Sequence, residues 1–350
     1  MGVLLLFNGG FMLLSSLVSL LTHDGVTFEL TLSAFFVLFL GVFIMLLSRN
    51  HTKQIQKREG YIIVSFGWVL MSLSGMLPYL FTGVIPDISS AFFETMSGYT
   101  TTGSTILNDI ESVPKGILFW RSTTHWIGGM GIIVLAIAIL PLLGIGGMQL
   151  FAAEAPGPSS DKLHPRITDT AKRLWFIYVG YTLAETILLS VAGMSFFDAI
   201  NHAMSTLSTG GFSTKNNSVA HWNNTPIIQY IITFFMLIAG TNFVLSYFAF
   251  TGKIRKIFRD QEFKFLMTFI GISTFIVALV LYNNVDLTLS SFDHPQIFGT
   301  LESSFRHAFF QVVAVITTTG FVTADFTAWT PFLAIVFFGL MFMGGSAGST

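Results

Sequence analysis

Three copies of a motif rich in threonine and glycine carry the most evident chemistry of this chain. They are Thr100–Gly103, Ser208–Gly211 and Thr317–Gly320, and their last glycines lie 108 and 109 residues apart. Such turns, set among membrane-length segments, can present backbone carbonyl oxygens to a dehydrated cation. Ordinary turn chemistry would explain one copy. Three copies at nearly constant spacing indicate an internal repeat, with several copies around one axis.

Composition places these motifs in a membrane protein. The 350 residues are 52% apolar and only 10% charged, with a mean hydropathy of +0.71. A span needs about 20 apolar residues, and eight apolar segments are candidates. Seven of them cover residues 3–21, 31–48, 61–82, 117–143, 174–193, 226–250 and 264–282, and the eighth opens at Pro331. The chain has no cysteine, which excludes disulfide and thiol chemistry.

The basic residues predict an orientation. Thirteen of the 17 Lys and Arg residues fall in the loops 49–59, 151–173 and 252–264. Because cytoplasmic loops of membrane proteins are enriched in Lys and Arg, these three loops are predicted to be cytoplasmic. Two spanning segments separate each basic loop from the next. All three Thr/Gly motifs therefore fall in outer, periplasmic loops.

A short apolar segment precedes each motif. These segments, about 87–99, 196–207 and 302–316, are too short to span and fit re-entrant half-helices entering from outside. Ser89, Ser90, Asp198 and Glu302 suit helix starts, where free N–H groups accept an oxygen. The C-terminal end of each half-helix would then point toward the membrane centre, and its partial negative charge favours a cation.

The chain resembles the TrkH/TrkG-type potassium uptake subunits of the Trk/Ktr/HKT superfamily, over essentially all 350 residues. The stretches that carry the resemblance are Thr100–Thr105, Trp126–Gly147, Gly210–Thr214, Thr317–Phe321 and Gly344–Thr350. The resemblance implies an all-α fold of helix–half-helix–helix repeats arranged pseudo-fourfold around a pore, after an extra helix pair. It also implies potassium uptake, a homodimer in the bacterial inner membrane and a cytosolic nucleotide-binding regulator resembling TrkA.

Alignment of the repeats within this chain assigns the potassium filter that the resemblance implies. Gly211 is chosen over Gly210 because Gly211-Phe212 matches Gly320-Phe321. The resemblance also implies that a glycine at the first filter position, here Gly103, favours potassium over sodium. The predicted K⁺-binding residues are Thr101, Thr102, Gly103, Thr209, Gly210, Gly211, Thr318, Thr319 and Gly320.

A second small-residue stretch resembles the family's intramembrane gate below the filter. Its predicted members are Gly344, Gly345, Ser346, Ala347 and Gly348. Consecutive small residues disfavour helix and expose backbone polar groups, although tight helix packing would also use them. The stretch matches G-x-S-x-G as well, but that motif needs a strand-to-helix turn and a His/Asp pair, which the sequence does not offer.

The predicted organisation is a helix pair over 1–50 followed by pore repeats over 51–151, 152–254 and 255–350. The second helix of the third repeat is cut short, and a fourth repeat is absent. The spacing would place a fourth filter glycine near residue 429, so we expect a C-terminally incomplete sequence.

Two other functions stay open beside a potassium-conducting pore. One is a secondary cation transporter, coupled to H⁺ or Na⁺, with a midplane site at broken helices. The other is a membrane interaction subunit without conduction of its own. No catalytic or metal motif supports an enzyme; K⁺ is the only ion predicted at the filter, with no organic cofactor and no nucleic acid. Glu94 either sets the field near the filter or is hydrogen-bonded behind it.

Overall fold

The computed structural model describes residues 1–49, 57–131, 167–284, 300–346 and 349–350. Over these residues the chain is helical and contains no β-strand. It divides into two compact units, Met1–Phe176 and Ile177–Thr350. Because lipid offers backbone groups no hydrogen-bond partners, a helical chain this apolar suits a bilayer. The predicted all-α membrane class is confirmed.

The first unit is built on a pair of long apolar helices. Helix α1 packs along α2 and against α6, and the short α5 packs on α3 and α6. The helices are α1 Gly2–Thr22, α2 Thr27–Leu47, α3 Lys57–Gly75, α4 Leu77–Thr82, α5 Ile88–Tyr99 and α6 Lys115–Gly129. The predicted run 61–82 is interrupted between α3 and α4, because Pro78 at the start of α4 lacks the N–H that a continuous helix would use.

Helix α7, Ile167–Val191, leads into the second unit. There the half-helix α13 packs against α9 and α12, and α8 packs on α9. The remaining helices are α8 Phe196–Leu207, α9 Pro226–Ala239, α10 Phe243–Phe250, α11 Ile254–Arg259, α12 Gln261–Asn284, α13 Leu301–Ile316 and α14 Pro331–Leu340. Buried side chains of α9, α12 and α13 form the core of this unit.

Four helices of the described chain are long and apolar enough to cross a membrane. They are Gly2–Thr22, Thr27–Leu47, Lys172–Val191 and Gln261–Tyr282. The predicted run 226–250 is divided into α9 and α10 by Gly240-Thr241-Asn242. Residues 132–143 of the predicted run 117–143 lie outside the described residues.

Three short helices precede the Thr/Gly motifs. Helices α5 and α8 have 12 residues each and α13 has 16. At 1.5 Å per residue they reach about 18–24 Å, less than the ~30 Å hydrocarbon core. Their bounds agree with the predicted half-helices to within one residue.

The half-helices begin with side-chain caps. Asp87, Ser195 and Thr300 accept the backbone N–H of the residue three positions on. The predicted Asp198 and Glu302 lie instead in the first turn, where an acidic group also interacts favourably with the helix dipole. Hydrogen bonds from Ser90 lower the pKa of Asp87, so this carboxylate keeps its charge.

Candidate ion-binding site

The three Thr/Gly motifs follow their half-helices with the same backbone conformation. We call residues 100–103, 208–211 and 317–320 the first, second and third loops. The residue after each helix cap is a threonine at positive φ: 53° at Thr101, 52° at Thr209 and 57° at Thr318. Two residues later a glycine is again at positive φ: 75° at Gly103, 78° at Gly211 and 77° at Gly320.

This conformation is costly for threonine. A β-branched residue at positive φ is an outlier, and such strain costs about 1–3 kcal/mol and clusters at functional sites. Five residues other than glycine have positive φ in the described chain, and three of them are these loop threonines. Gly210 is not among the positive-φ glycines, so the backbone aligns Gly211 with Gly103 and Gly320, as the sequence predicts.

The loops direct their N–H groups back toward the helix that they follow. Thr102 donates to the Ser97 carbonyl at 2.9 Å, and Gly210 donates to the Ser205 carbonyl at 2.9 Å. Gly320 donates to the Ala314 carbonyl at 3.1 Å. A helix end normally leaves carbonyls without intrahelical donors, and these bonds satisfy some of them.

The carbonyl oxygens of the loops remain available. Within the described ranges, no backbone or side-chain donor reaches the carbonyls of Thr101–Gly103, Thr209–Gly211 or Thr318–Gly320. A carbonyl without a protein donor can accept from water or coordinate a cation. The loops therefore offer oxygen ligands at the negative ends of three helix dipoles.

The second and third loops meet inside the second unit. A Cβ atom built at Gly211 would lie 2.0 Å from the Thr319 carbonyl oxygen. Only glycine permits this approach, which brings the backbones of two loops together. A Cβ at Gly320 would meet nothing within 4 Å.

A buried ion pair lies behind the first loop. Glu94 on α5 accepts from Arg121 Nε on α6 at 2.7 Å, with side-chain exposures of 0% and 2%. Its carboxylate also accepts from the Thr105 hydroxyl at 2.9 Å and from the Ile106 N–H at 3.0 Å. Of the two roles weighed for Glu94, hydrogen bonding behind the loop is the observed one. Arg121 was not predicted, since it lies within an apolar run.

The segment that contains the predicted gate is bonded to the end of α9 and, through Thr350, to the second loop. The Ser346 N–H donates to the Gly240 carbonyl at 2.9 Å, and the Thr350 hydroxyl donates to the Ala239 carbonyl at 3.1 Å. These bonds satisfy carbonyls that the break between α9 and α10 leaves without helical partners. The Thr209 hydroxyl donates to the Thr350 carbonyl at 3.0 Å.

Of the predicted gate residues, Gly344, Gly345 and Ser346 are described, and Ala347 and Gly348 lie outside the described residues. In the described chain the three gate residues have no regular secondary structure. The same ranges contain no group of three or more His, Asp or Glu residues placed to hold a metal ion. The candidate ligands in each loop are its backbone carbonyl oxygens.

The fold and the loops define a helical membrane protein with half-helices that present carbonyl oxygens. Comparison with known proteins gives the family. The TrkH family profile, described as cation transport protein, matches residues 27–350. The chain is 42% identical to the Trk system potassium uptake protein TrkH of Salmonella typhimurium, over 100% of this chain and 70% of that protein. It is 38% identical to TrkG of Escherichia coli, over 85% of this chain and 59% of that protein.

A solved structure agrees. The crystal structure of the potassium transporter TrkH from Vibrio parahaemolyticus matches with a TM-score of 0.82 and 36% identity, covering 99% of this chain and 69% of that one. The chain belongs to the TrkH family of cation transport proteins. The family consists of transporters, so the prediction that the protein is not an enzyme is confirmed.

Proposed function

We propose that the protein takes up potassium through a pore whose selectivity filter contains the three loops. The filter residues are those predicted from the sequence, with Gly103, Gly211 and Gly320 at equivalent positions. The relatives named as potassium uptake proteins support K⁺ as the ion. Inward flux is driven by the membrane potential, which contributes about 2.3 kcal/mol per charge per 100 mV.

One observation carries this proposal: three strained threonine–glycine loops share one backbone conformation, and their carbonyls lack protein donors in the described ranges. Strain of this kind persists only where the surrounding structure imposes it. Dehydrated K⁺ needs oxygen ligands that replace its hydration shell. The loops supply such ligands as neutral carbonyl oxygens. A charged side chain would bind the ion too tightly to release it.

The test is the Gly320→Ser variant of the full-length protein. A Cβ at this position meets no atom within 4 Å, so the substitution acts through the backbone, whose φ of 77° disfavours serine. We expect the K⁺/Na⁺ flux ratio in proteoliposomes to fall about 5- to 30-fold, which corresponds to about 1–2 kcal/mol of strain.

The matched control is Gly339→Ser on α14. Its Cβ also meets no atom within 4 Å, and its backbone is helical. This variant should keep the K⁺/Na⁺ flux ratio of the unmodified protein. An unchanged ratio for Gly320→Ser, at normal incorporation into vesicles, would remove Gly320 from the filter.

Residues 344–348 act in this proposal as the gate. The bonds from Ser346 and Thr350 to the end of α9, and from Thr209 to Thr350, support a segment held against the second loop. A gate in this position controls the passage of an ion that has left the filter. Movement of residues 344–348 would break the bond between the Ser346 N–H and the Gly240 carbonyl.

The remaining features follow the family resemblance. We propose an inner-membrane homodimer with a cytosolic regulator resembling TrkA, with periplasmic Thr/Gly loops and cytoplasmic basic loops. The pore repeats span 51–151, 152–254 and 255–350, after the helix pair 1–50.

Coupling of K⁺ entry to H⁺ or Na⁺ is the alternative function, and the broken helix at Gly240 favours it, since such breaks form midplane sites in secondary transporters. A K⁺ flux that changes with an imposed pH or Na⁺ gradient at constant voltage would support this coupling.

A further inference from the structure

Each half-helix carries polar residues at the same two positions relative to its loop glycine. Nine residues before the glycine stand Glu94, His202 and Gln311, and thirteen before it stand Ser90, Asp198 and His307. The first three are all 0% exposed. Buried polar groups of this kind need hydrogen-bond partners, and in every repeat some of those partners lie in the segment that leaves the loop.

In the first repeat the partners belong to Thr105 and Ile106. Glu94 accepts from the Thr105 hydroxyl and from the Ile106 N–H, two and three residues after Gly103. Arg121 balances the charge of the carboxylate. Hydrogen bonds to an ionised acceptor are stronger than those between neutral groups.

In the second repeat the same two positions after Gly211 are held by different chemistry. His202 Nε2 is bonded to the Ser213 hydroxyl at 2.9 Å. The Thr214 hydroxyl donates to Asp198 Oδ1 at 2.6 Å. The other ring nitrogen of His202, Nδ1, is bonded to the Asp198 carbonyl at 2.8 Å, which fixes the orientation of the ring.

In the third repeat the bonds fall three and four residues after Gly320. His307 Nδ1 is bonded to the Thr323 hydroxyl at 2.9 Å. Gln311 Nε2 donates to the Ala324 carbonyl at 3.2 Å. The three repeats therefore use a carboxylate with an arginine, a histidine with an aspartate, and a histidine with a glutamine for one geometric task.

We infer that five of these half-helix residues are positioning residues for the filter, because each one bonds to the segment that leaves the loop of its own repeat: Glu94, Asp198, His202, His307 and Gln311. The entry of each loop is already fixed by N–H bonds to the half-helix end. With the exit fixed as well, the loop between them is held at both ends, and its strained threonine cannot relax. This inference rests on the proposed function, because it assigns the residues a role in ion selectivity.

The inference is tested on the loop side, where a hydroxyl can be removed without leaving a buried charge unpaired. Thr105→Val deletes the bond to Glu94, and Thr323→Val deletes the bond to His307. Thr105→Ser retains the hydroxyl. The control is Thr233→Val on α9, a buried threonine whose hydroxyl donates to the Gln229 carbonyl of its own helix.

The K⁺/Na⁺ flux ratio is measured in proteoliposomes from equal amounts of folded protein, together with the K⁺ concentration for half-maximal flux. We expect Thr105→Val and Thr323→Val each to lower the ratio about fivefold, the effect of one hydrogen bond. Thr105→Ser and Thr233→Val should stay within about twofold of the unmodified protein. A merely structural role would lower yield and thermal stability but leave the ratio unchanged.

The Gly320→Ser variant distinguishes the positioning role from the filter assignment. If Gly320→Ser changes selectivity while both valine variants retain it, the positioning role is wrong and the filter assignment stands. If all three variants retain it, the filter assignment itself is wrong. If the valine variants lose selectivity and Thr105→Ser recovers it, the positioning role is supported.

Discussion

At the residue scale, the left-handed glycines of the second and third loops differ in their surroundings. Gly211 and Gly320 have nearly the same φ, 78° and 77°. A Cβ at Gly211 would overlap the Thr319 carbonyl oxygen at 2.0 Å, whereas a Cβ at Gly320 meets open space. The two positions therefore separate the cost of backbone conformation from the cost of loop contact.

Alanine substitution measures this difference. We expect Gly320→Ala to destabilise the protein by about 1–2 kcal/mol through its backbone. Gly211→Ala carries the same backbone cost and must also displace the third loop. Its loss of stability should therefore exceed that of Gly320→Ala by about 1–3 kcal/mol. Thermal unfolding in detergent, followed with and without K⁺, gives both values. Equal losses for the two variants would contradict the observed approach of the two loops.

The equivalence of Gly211 with Gly103 and Gly320 could be predicted from the sequence, because a following phenylalanine fixes the alignment in two of the repeats. The partner of Glu94 could not. Arg121 lies 27 residues along the chain, in a run read only for its apolar content. A sequence signal for the bonds after the loops did exist, because Thr105 and Ser213 both lie two residues after their loop glycine. The residues that bond to them differ in chemistry from repeat to repeat.

At the scale of helices, glycines set how closely α1 and α2 approach. A Cβ at Gly9 would lie 2.6 Å from Leu38 Cγ and 3.1 Å from the Ala34 carbonyl oxygen, while a Cβ at the next residue, Gly10, meets nothing within 4 Å. Close backbone approach at small residues is a main source of helix association in lipid.

Adjacent alanine substitutions test this contact. Gly10→Ala should be neutral or stabilise the helix by up to about 1 kcal/mol, because alanine has the higher helix propensity. Gly9→Ala gains the same propensity but must push α2 away, so we expect a net loss of about 1–3 kcal/mol. Thermal unfolding in one detergent compares the two proteins. A Gly9→Ala protein as stable as Gly10→Ala would contradict this packing.

The half-helices were predictable and the break in the run 226–250 was not. The short length of an apolar segment and the polar residues at its start predict a half-helix. The break at Gly240 depends on Ser346, whose N–H supplies a donor from more than 100 residues further along the chain. Local apolar content cannot reveal such a contact, so the sequence predicts one continuous helix for this run.

At the scale of the whole molecule, the distribution of charge predicts sidedness. The loop 252–264 contains five Lys and Arg residues around α11, whereas the segment between the first loop and α6 has Asp109 and Glu111. Positive residues are retained on the cytoplasmic side during insertion. The two regions should therefore face opposite sides of the membrane.

The chain has no cysteine, so a single introduced thiol reports its own location. We choose Asn108→Cys in the segment after the first loop and Thr251→Cys beside α11, since both positions are exposed. A membrane-impermeant maleimide should label Asn108→Cys in right-side-out vesicles, and Thr251→Cys only in inverted vesicles or after permeabilisation. The unmodified protein controls for background labelling. Labelling of Thr251→Cys in intact right-side-out vesicles would reverse the orientation, and with it the side from which K⁺ enters the loops.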